Sequence, residues 1–229
     1  LVRDGNQADP EYIQSLLKKY GLEAAAVGSS PSFFQDRLAL AAKDREKRQE
    51  AFERAKAGIN FASYFKAPYC IGKFRGNTDE NSEDNRMEDL TNVLKSLAEY
   101  GEKKQVRILL EPQSPPGINN LHTVKETIKK EDEMETNNMG LLLDTYHMDL
   151  AERSMWAAIA EAGRKTGFVH ASDMNRMPVG TGRIPVKDVI EMLKVIGYDG
   201  YISVEVAQKP DSYTAAKISY DVLKFCLDQ

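Results

Sequence analysis

The chain has 229 residues, 41% hydrophobic and 29% charged, a balance that excludes disordered, fibrous and membrane-embedded classes and fits a single enzyme-sized domain. Its net charge of −4 comes from interspersed acidic and basic residues, with no stripe of Lys and Arg to displace counterions from phosphate, so nucleic acid is not an expected partner. Two cysteines without a CxxC spacing argue against a disulfide scaffold or a thiolate zinc site, and no apolar run approaches the ~20 residues of a membrane span.

Taken in chain order, Asp9-Pro10-Glu11 reads as an N-cap with proline at the first helical position, leading a helix that Gly21 ends. Leu22–Val27 reads as a buried strand, and residues 31–66 as one charged helix with small residues for packing on a sheet. Tyr69–Phe74 is the next strand. Past the polar loop 75–85, Met87, Leu90, Val93, Leu94 and Leu97 form the apolar stripe of a helix. Three more strand–helix pairs follow: Val106–Glu111 with Thr123–Glu135, Gly140–Asp144 with Met155–Arg164, and Phe168–His170 with Val186–Ile196. Strand Tyr201–Val206 and a terminal helix around Tyr213–Leu227 complete the series.

Strands alternating with long helices require a parallel sheet, because each crossover must span it. Residues 1–229 are therefore expected to form one α/β domain, a (β/α)8 TIM barrel. Six strands are countable where a closed barrel has eight, and Leu1-Val2-Arg3 reads as the tail of a further one. The expectation is a barrel lacking its first strand and helix at the N-terminus, or an open one. Cys70 and Cys226 read as small buried hydrophobes, and a cytoplasmic location is expected because no signal-peptide pattern opens the chain.

Active sites of parallel barrels lie at the C-terminal ends of the strands, so polar residues that abruptly close an apolar strand are the candidates for chemistry. Four strands in succession close this way: Ile108-Leu109-Leu110 on Glu111, Leu141-Leu142-Leu143 on Asp144, Phe168-Val169 on His170, and Ile202-Ser203-Val204 on Glu205. Any one of these could simply cap a helix or be a hydrogen-bonded structural residue; the coincidence of four points to a shared divalent-metal site. Three carboxylates and one imidazole suit Mn²⁺, with Mg²⁺, Co²⁺ or Zn²⁺ as alternatives. Such an ion acidifies the carbon beside a sugar carbonyl, and flanking carboxylates can move the proton.

The segments Leu110-Glu111-Pro112, Leu143-Asp144-Thr145-Tyr146-His147-Met148, His170 through Asn175-Arg176 to Gly180-Thr181-Gly182-Arg183-Ile184-Pro185, and Ile196-Gly197-Tyr198-Asp199-Gly200 before Glu205 resemble the xylose-isomerase-like superfamily of sugar isomerases and epimerases. Within it they are most similar to the ketose 3-epimerase branch typified by D-tagatose 3-epimerase. The resemblance implies that Glu111, Asp144, His170 and Glu205 bind the metal. It also implies that Glu111 and Glu205 are the acid–base pair on the two faces of an enediolate, and that His147 and Arg176 hold substrate oxygens. Two positions depart from the family pattern: Gly117 replaces a substrate-gripping glutamate, and Phe168 stands where many members have histidine.

Other residues have plainer readings. His122 is a loop or cap residue, Trp156 packs in a helix entry, Asp173 orients a ligand from behind, and Gly180–Pro185 is a tight loop that positions Arg176 rather than a phosphate loop. The expected function is a metal-dependent isomerase or epimerase of a small sugar or polyol. An inosose-type dehydratase and a catalytically silent sugar-binding barrel are the alternatives, and a homo-oligomer is compatible with either. Three histidines cannot fill the trinuclear zinc site of an endonuclease IV-type hydrolase.

Overall fold

A computed structural model describes residues 4–78 and 86–229. The expected strand tail at Leu1-Val2-Arg3 and the loop residues 79–85 lie outside the described residues. The chain divides into two compact units, one made of residues 1–110, 116–120 and 129–140, the other of residues 111–115, 121–128 and 141–229.

In the first unit, helix α1 (Pro10–Tyr20) starts where the sequence places it. The Asp9 side chain accepts from the Tyr12 N–H at 3.0 Å, and Gly21 ends the helix in the left-handed region at φ +63°. Strand β1 covers only Val27–Gly28, so the expected strand over 22–27 is cut to its last residue and extended by one. Its partner β2 (Tyr69–Ile71) begins immediately after Pro68, which has no N–H to extend the ladder, and Leu22 is 60% exposed.

The single helix expected over 31–66 is likewise two: α2 (Ser30–Phe34) and α3 (Arg45–Phe65). Between them Arg37 adopts φ +56°, and the Leu40 and Ala41 N–H groups donate to the carbonyls of Phe74 and Arg75, donors that a continuous helix would have kept for itself. Asp44 then caps α3 by accepting from Glu46 and Lys47. Gly58 of α3 lets the helix approach β2, since a Cβ there would stand 2.4 Å from Tyr69 Cε2. Helix α4 (Arg86–Lys103) buries Leu90, Leu94 and Leu97 on one stripe, as expected, and β3 (Ile108–Leu110) is wholly buried and parallel to β2.

Helix α5 (Val124–Glu133) and strand β4 (Met139–Asp144) each run from one unit into the other along the chain. The second unit then continues through α6 (Thr145–Ala151), α7 (Met155–Ala162), β5 (Thr166–Ala171), α8 (Val186–Val195), β6 (Ile202–Val204) and α9 (Ser212–Leu227). Strands β4, β5 and β6 pair in parallel, with Asp144 opposite His170 and His170 opposite Ser203. Their apolar residues Leu141, Leu143, Val169 and Ala171 pack with Ala158, Ile159, Val189, Ile190, Leu193 and Leu223 of the surrounding helices. Both cysteines are buried and outside any disulfide, as read from the sequence. Trp156 departs from expectation: Met155, Ala158, Ile159 and Ala162 share the inward face of α7 and Trp156 falls off it, leaving it 45% exposed.

Candidate metal centre

All four strand-closing residues belong to the second unit, and the structure brings them together. One ligand atom from each of Glu111, Asp144, His170 and Glu205 lies within 4.8 Å of the other three. The cause is register. Asp144 and His170 are Cα partners on adjacent parallel strands, and Glu205 follows β6 with its N–H donating to the Ala171 carbonyl at 3.1 Å. Glu111 is the residue immediately after β3.

The His170 Nδ1 faces Glu205 Oε2 at 3.1 Å, Asp144 Oδ2 at 3.5 Å and Glu111 Oε1 at 3.6 Å, yet this buried nitrogen has no partner in hydrogen-bonding geometry. A divalent cation with ligands at about 2.0–2.3 Å spaces neighbouring donors by about 3–4.5 Å, so this three-oxygen, one-nitrogen set fits one. Burial would push the His170 ring down, but the facing carboxylates of Asp144, Glu111 and Glu205 outweigh it and raise it to about 12. Burial would likewise raise Asp144. Its interactions with His170 and Arg176 prevail and hold the carboxyl well below the ordinary carboxylate range.

Asp144 serves two purposes with its two oxygens. Oδ1 caps α6 by accepting from the N–H groups of Tyr146 (2.8 Å) and His147 (3.2 Å), while Oδ2 turns to His170 and to Arg176 Nη1, 2.6 Å away. The capping reading of this residue is met, and its second oxygen is left facing the cluster. Glu111 is divided similarly: Oε1 faces His170, and Oε2 accepts from the Gln113 amide at 2.5 Å.

The two residues assigned to substrate oxygens stand beside the quartet. Arg176 reaches Asp144 and, at 2.9 Å, Glu205 through Nη1, and places Nη2 3.1 Å from His147 Nε2; its guanidinium lies over the Tyr146 ring at 4.7 Å. It projects from a strained turn in which Asn175 (φ +57°) and Arg176 (φ +58°) are both left-handed. The Ala207 N–H, donating to the Arg176 carbonyl at 2.6 Å, helps hold that turn. Burial keeps His147 below the ordinary histidine value against the pull of the Asp144 and Glu111 charges.

Gly180–Pro185 is a tight loop in which the N–H groups of Thr181, Gly182 and Ile184 are committed. The N–H groups of Gly182 (2.8 Å) and Ile184 (3.2 Å) both donate to the Asp173 carboxylate, and a Cβ on Gly182 would meet Asp173 Oδ1 at 2.3 Å. The Asp173 carboxylate thus shapes this loop. His122 is a loop residue, its Nδ1 at 2.8 Å from the Gln113 carbonyl oxygen. Phe168 is buried with its ring edge against His170 at 5.3 Å. Sequence reasoning passed over Gln113, Ser114 and Tyr146; only their position beside Glu111 and His147 could have drawn attention to them.

Residues 3–226 match the model of the xylose isomerase-like TIM barrel family. An L-ribulose 3-epimerase of Methylomonas sp. (strain DH-1) is 30% identical over 203 residues, covering 87% of this chain and 69% of that protein. A D-psicose 3-epimerase of Ruminiclostridium cellulolyticum is 36% identical over 85 residues, covering 37% of this chain but only 29% of its own length. Among solved structures, the 3-keto-D-glucoside 4-epimerase YcjR of E. coli superposes with a TM-score of 0.85 at 18% identity, covering 97% of this chain and 88% of that one. That likeness speaks for the fold: a TIM barrel's strand–helix alternation, of which the described residues hold six parallel strands. The chain belongs to the xylose isomerase-like TIM barrel family, in its branch of sugar isomerases and epimerases.

Proposed function

We propose that this chain is a divalent-metal-dependent sugar isomerase or epimerase that removes a proton beside a carbonyl and returns it through an enediolate. The observation that carries the reading is the convergence of Glu111, Asp144, His170 and Glu205 within 4.8 Å. The metal those four would hold, Mn²⁺ by preference with Mg²⁺, Co²⁺ or Zn²⁺ as substitutes, would draw electron density from neighbouring substrate oxygens and acidify the adjacent C–H. Names of relatives such as L-ribulose 3-epimerase support a ketose as the substrate.

Glu111 and Glu205 are the proton carriers. One takes the proton from carbon as the electron pair passes to the carbonyl oxygen; the other returns a proton to the opposite face. Their settings suit a two-sided exchange, since the Glu111 side chain is 9% exposed and anchored by Gln113, whereas that of Glu205 is 48% exposed toward solvent. Arg176 and His147 hold substrate oxygens, with Nη2 and Nε2 3.1 Å apart.

Incubation with Mn²⁺ and a panel of ketoses in D₂O is expected to show deuterium entering the carbon that changes configuration. Glu205→Gln is expected to abolish that exchange while sugar binding persists. Turnover of an inosose without wash-in from any ketose would replace the isomerase with a dehydratase. Equal behaviour of wild type and Glu205→Gln in every assay would leave only a sugar-binding barrel.

A further inference from the structure

We propose that the peptide unit joining Gln113 to Ser114 sets the ring protons of two histidines at once, making His122 a positioning residue for His147. The inference rests on the reading of His147 as a substrate-holding group. The two ends of this one peptide face two imidazoles. Its carbonyl, on Gln113, lies 2.8 Å from His122 Nδ1, and its N–H, on Ser114, lies 3.2 Å from His147 Nδ1.

The fixed roles of the peptide's two ends require one arrangement. A peptide carbonyl only accepts, so His122 carries a proton on Nδ1 and donates it. A peptide N–H only donates, so His147 Nδ1 keeps its lone pair. The Ser114 hydroxyl, 2.9 Å from the same nitrogen, can rotate to donate as well. With Nδ1 accepting, the ring proton of His147 must sit on Nε2, the nitrogen that faces Arg176.

A guanidinium has no acceptor, so Nε2–H and Arg176 Nη2, 3.1 Å apart, are two donors held face to face. They would be reconciled by an oxygen accepting from both, which is what a sugar carbonyl or hydroxyl offers. Of the two neighbours that could dictate the His147 tautomer, the Ser114 peptide is buried and anchored, its residue 3% exposed and Gln113 bound through its own N–H to the Leu121 carbonyl. The guanidinium is 25% exposed and is tied to Asp144 and Glu205 through its other nitrogen, Nη1. The buried backbone donor prevails, and the chain His122 Nδ1–H, Gln113 C=O, Ser114 N–H, His147 Nδ1 polarises in a single direction.

The test uses the full chain labelled with ¹⁵N-histidine and loaded with diamagnetic Mg²⁺. With only three histidines, His122, His147 and His170, each ring can be assigned by single substitution. Two-bond ¹⁵N–¹H spectra are expected to place the proton on Nδ1 of His122 and on Nε2 of His147. His122→Phe should move the His147 nitrogens toward mixed-tautomer values and raise KM for D-tagatose about fivefold with kcat little changed, the scale of one net hydrogen bond. His122→Asn, whose amide nitrogen can stand where Nδ1 stood, should restore both. A proton on His147 Nδ1 in the wild type would overturn the proposal, as would His147 signals indifferent to His122→Phe. Opposite tautomers in a protein that exchanges deuterium into no ketose would sustain the relay and sink the isomerase reading instead.

Discussion

Asp144→Asn separates the structural role of Asp144, the most buried residue of the quartet, from the metal-binding role proposed for it. The side chain is fully buried, with Oδ1 on the α6 cap and Oδ2 on Arg176 and His170. Asparagine keeps an oxygen for the cap but turns an N–H2 toward a guanidinium that has only donors. Removing one partner of a buried ion pair costs about 3–5 kcal/mol. Arg176 is 25% exposed and retains Glu205 at 2.9 Å, which lowers the expected loss to about 2–3 kcal/mol. For a chain of this size that is a fall in Tm of about 5–10 °C, read by circular dichroism after chelation at pH 7. Mn²⁺ at a hundred times its Kd should stabilise the wild type by about 2.7 kcal/mol and the variant by less than about half of that. The pH dependence has a definite sign. The folded-state pKa of Asp144 is depressed, so its contribution is fully present above about pH 4 and lost as pH falls through the depressed value. The two melting curves should therefore converge on acidification. Equal melting at pH 7, or a gap that widens toward low pH, would refute the account.

Because three carboxylates hold His170 protonated, with its pKa at about 12, occupation of the site by Mn²⁺ must displace that proton. Calorimetry at pH 7 in buffers of different ionisation enthalpy should report release of about one proton per ion; a heat independent of buffer would rule this out. Arg176→Lys keeps a charge near Asp144 and Glu205 but loses the planar reach to His147, and should raise the ketose KM about tenfold with a smaller change in kcat. Steady-state kinetics showing an unchanged KM would remove Arg176 from substrate binding. In the other unit, Gly58→Ala sets a methyl against Tyr69 at 2.4 Å. Overpacking of about 1–3 kcal/mol, partly offset by better helix propensity, should lower Tm by several degrees; a raised Tm would show that Tyr69 yields freely.

The quartet could be read from the chain because its signal is local. A buried parallel strand is a short apolar run, and a carboxylate or imidazole that ends it is carried to the strand's C-terminal end by the strand itself. Helices with caps, such as Asp9-Pro10 before α1, were legible for the same reason, each cap bonding only two or three residues along. The shortened β1 and the break between α2 and α3 were not, since those turned on whether Tyr69, Phe74 and Arg75, 34 to 42 residues away, offered a ladder or a competing acceptor.

What the sequence by itself determined was the alternation of strands and helices, the four ligand-type residues and the family to which they belong. Only the tertiary structure decided how those side chains divide their atoms. It decided that Asp144 caps with one oxygen and faces the site with the other, that Asp173 accepts from two N–H groups of the glycine loop, and that one peptide serves both His122 and His147. These are directional contacts between residues up to 33 positions apart, set by strand register and loop path, which composition and periodicity do not encode.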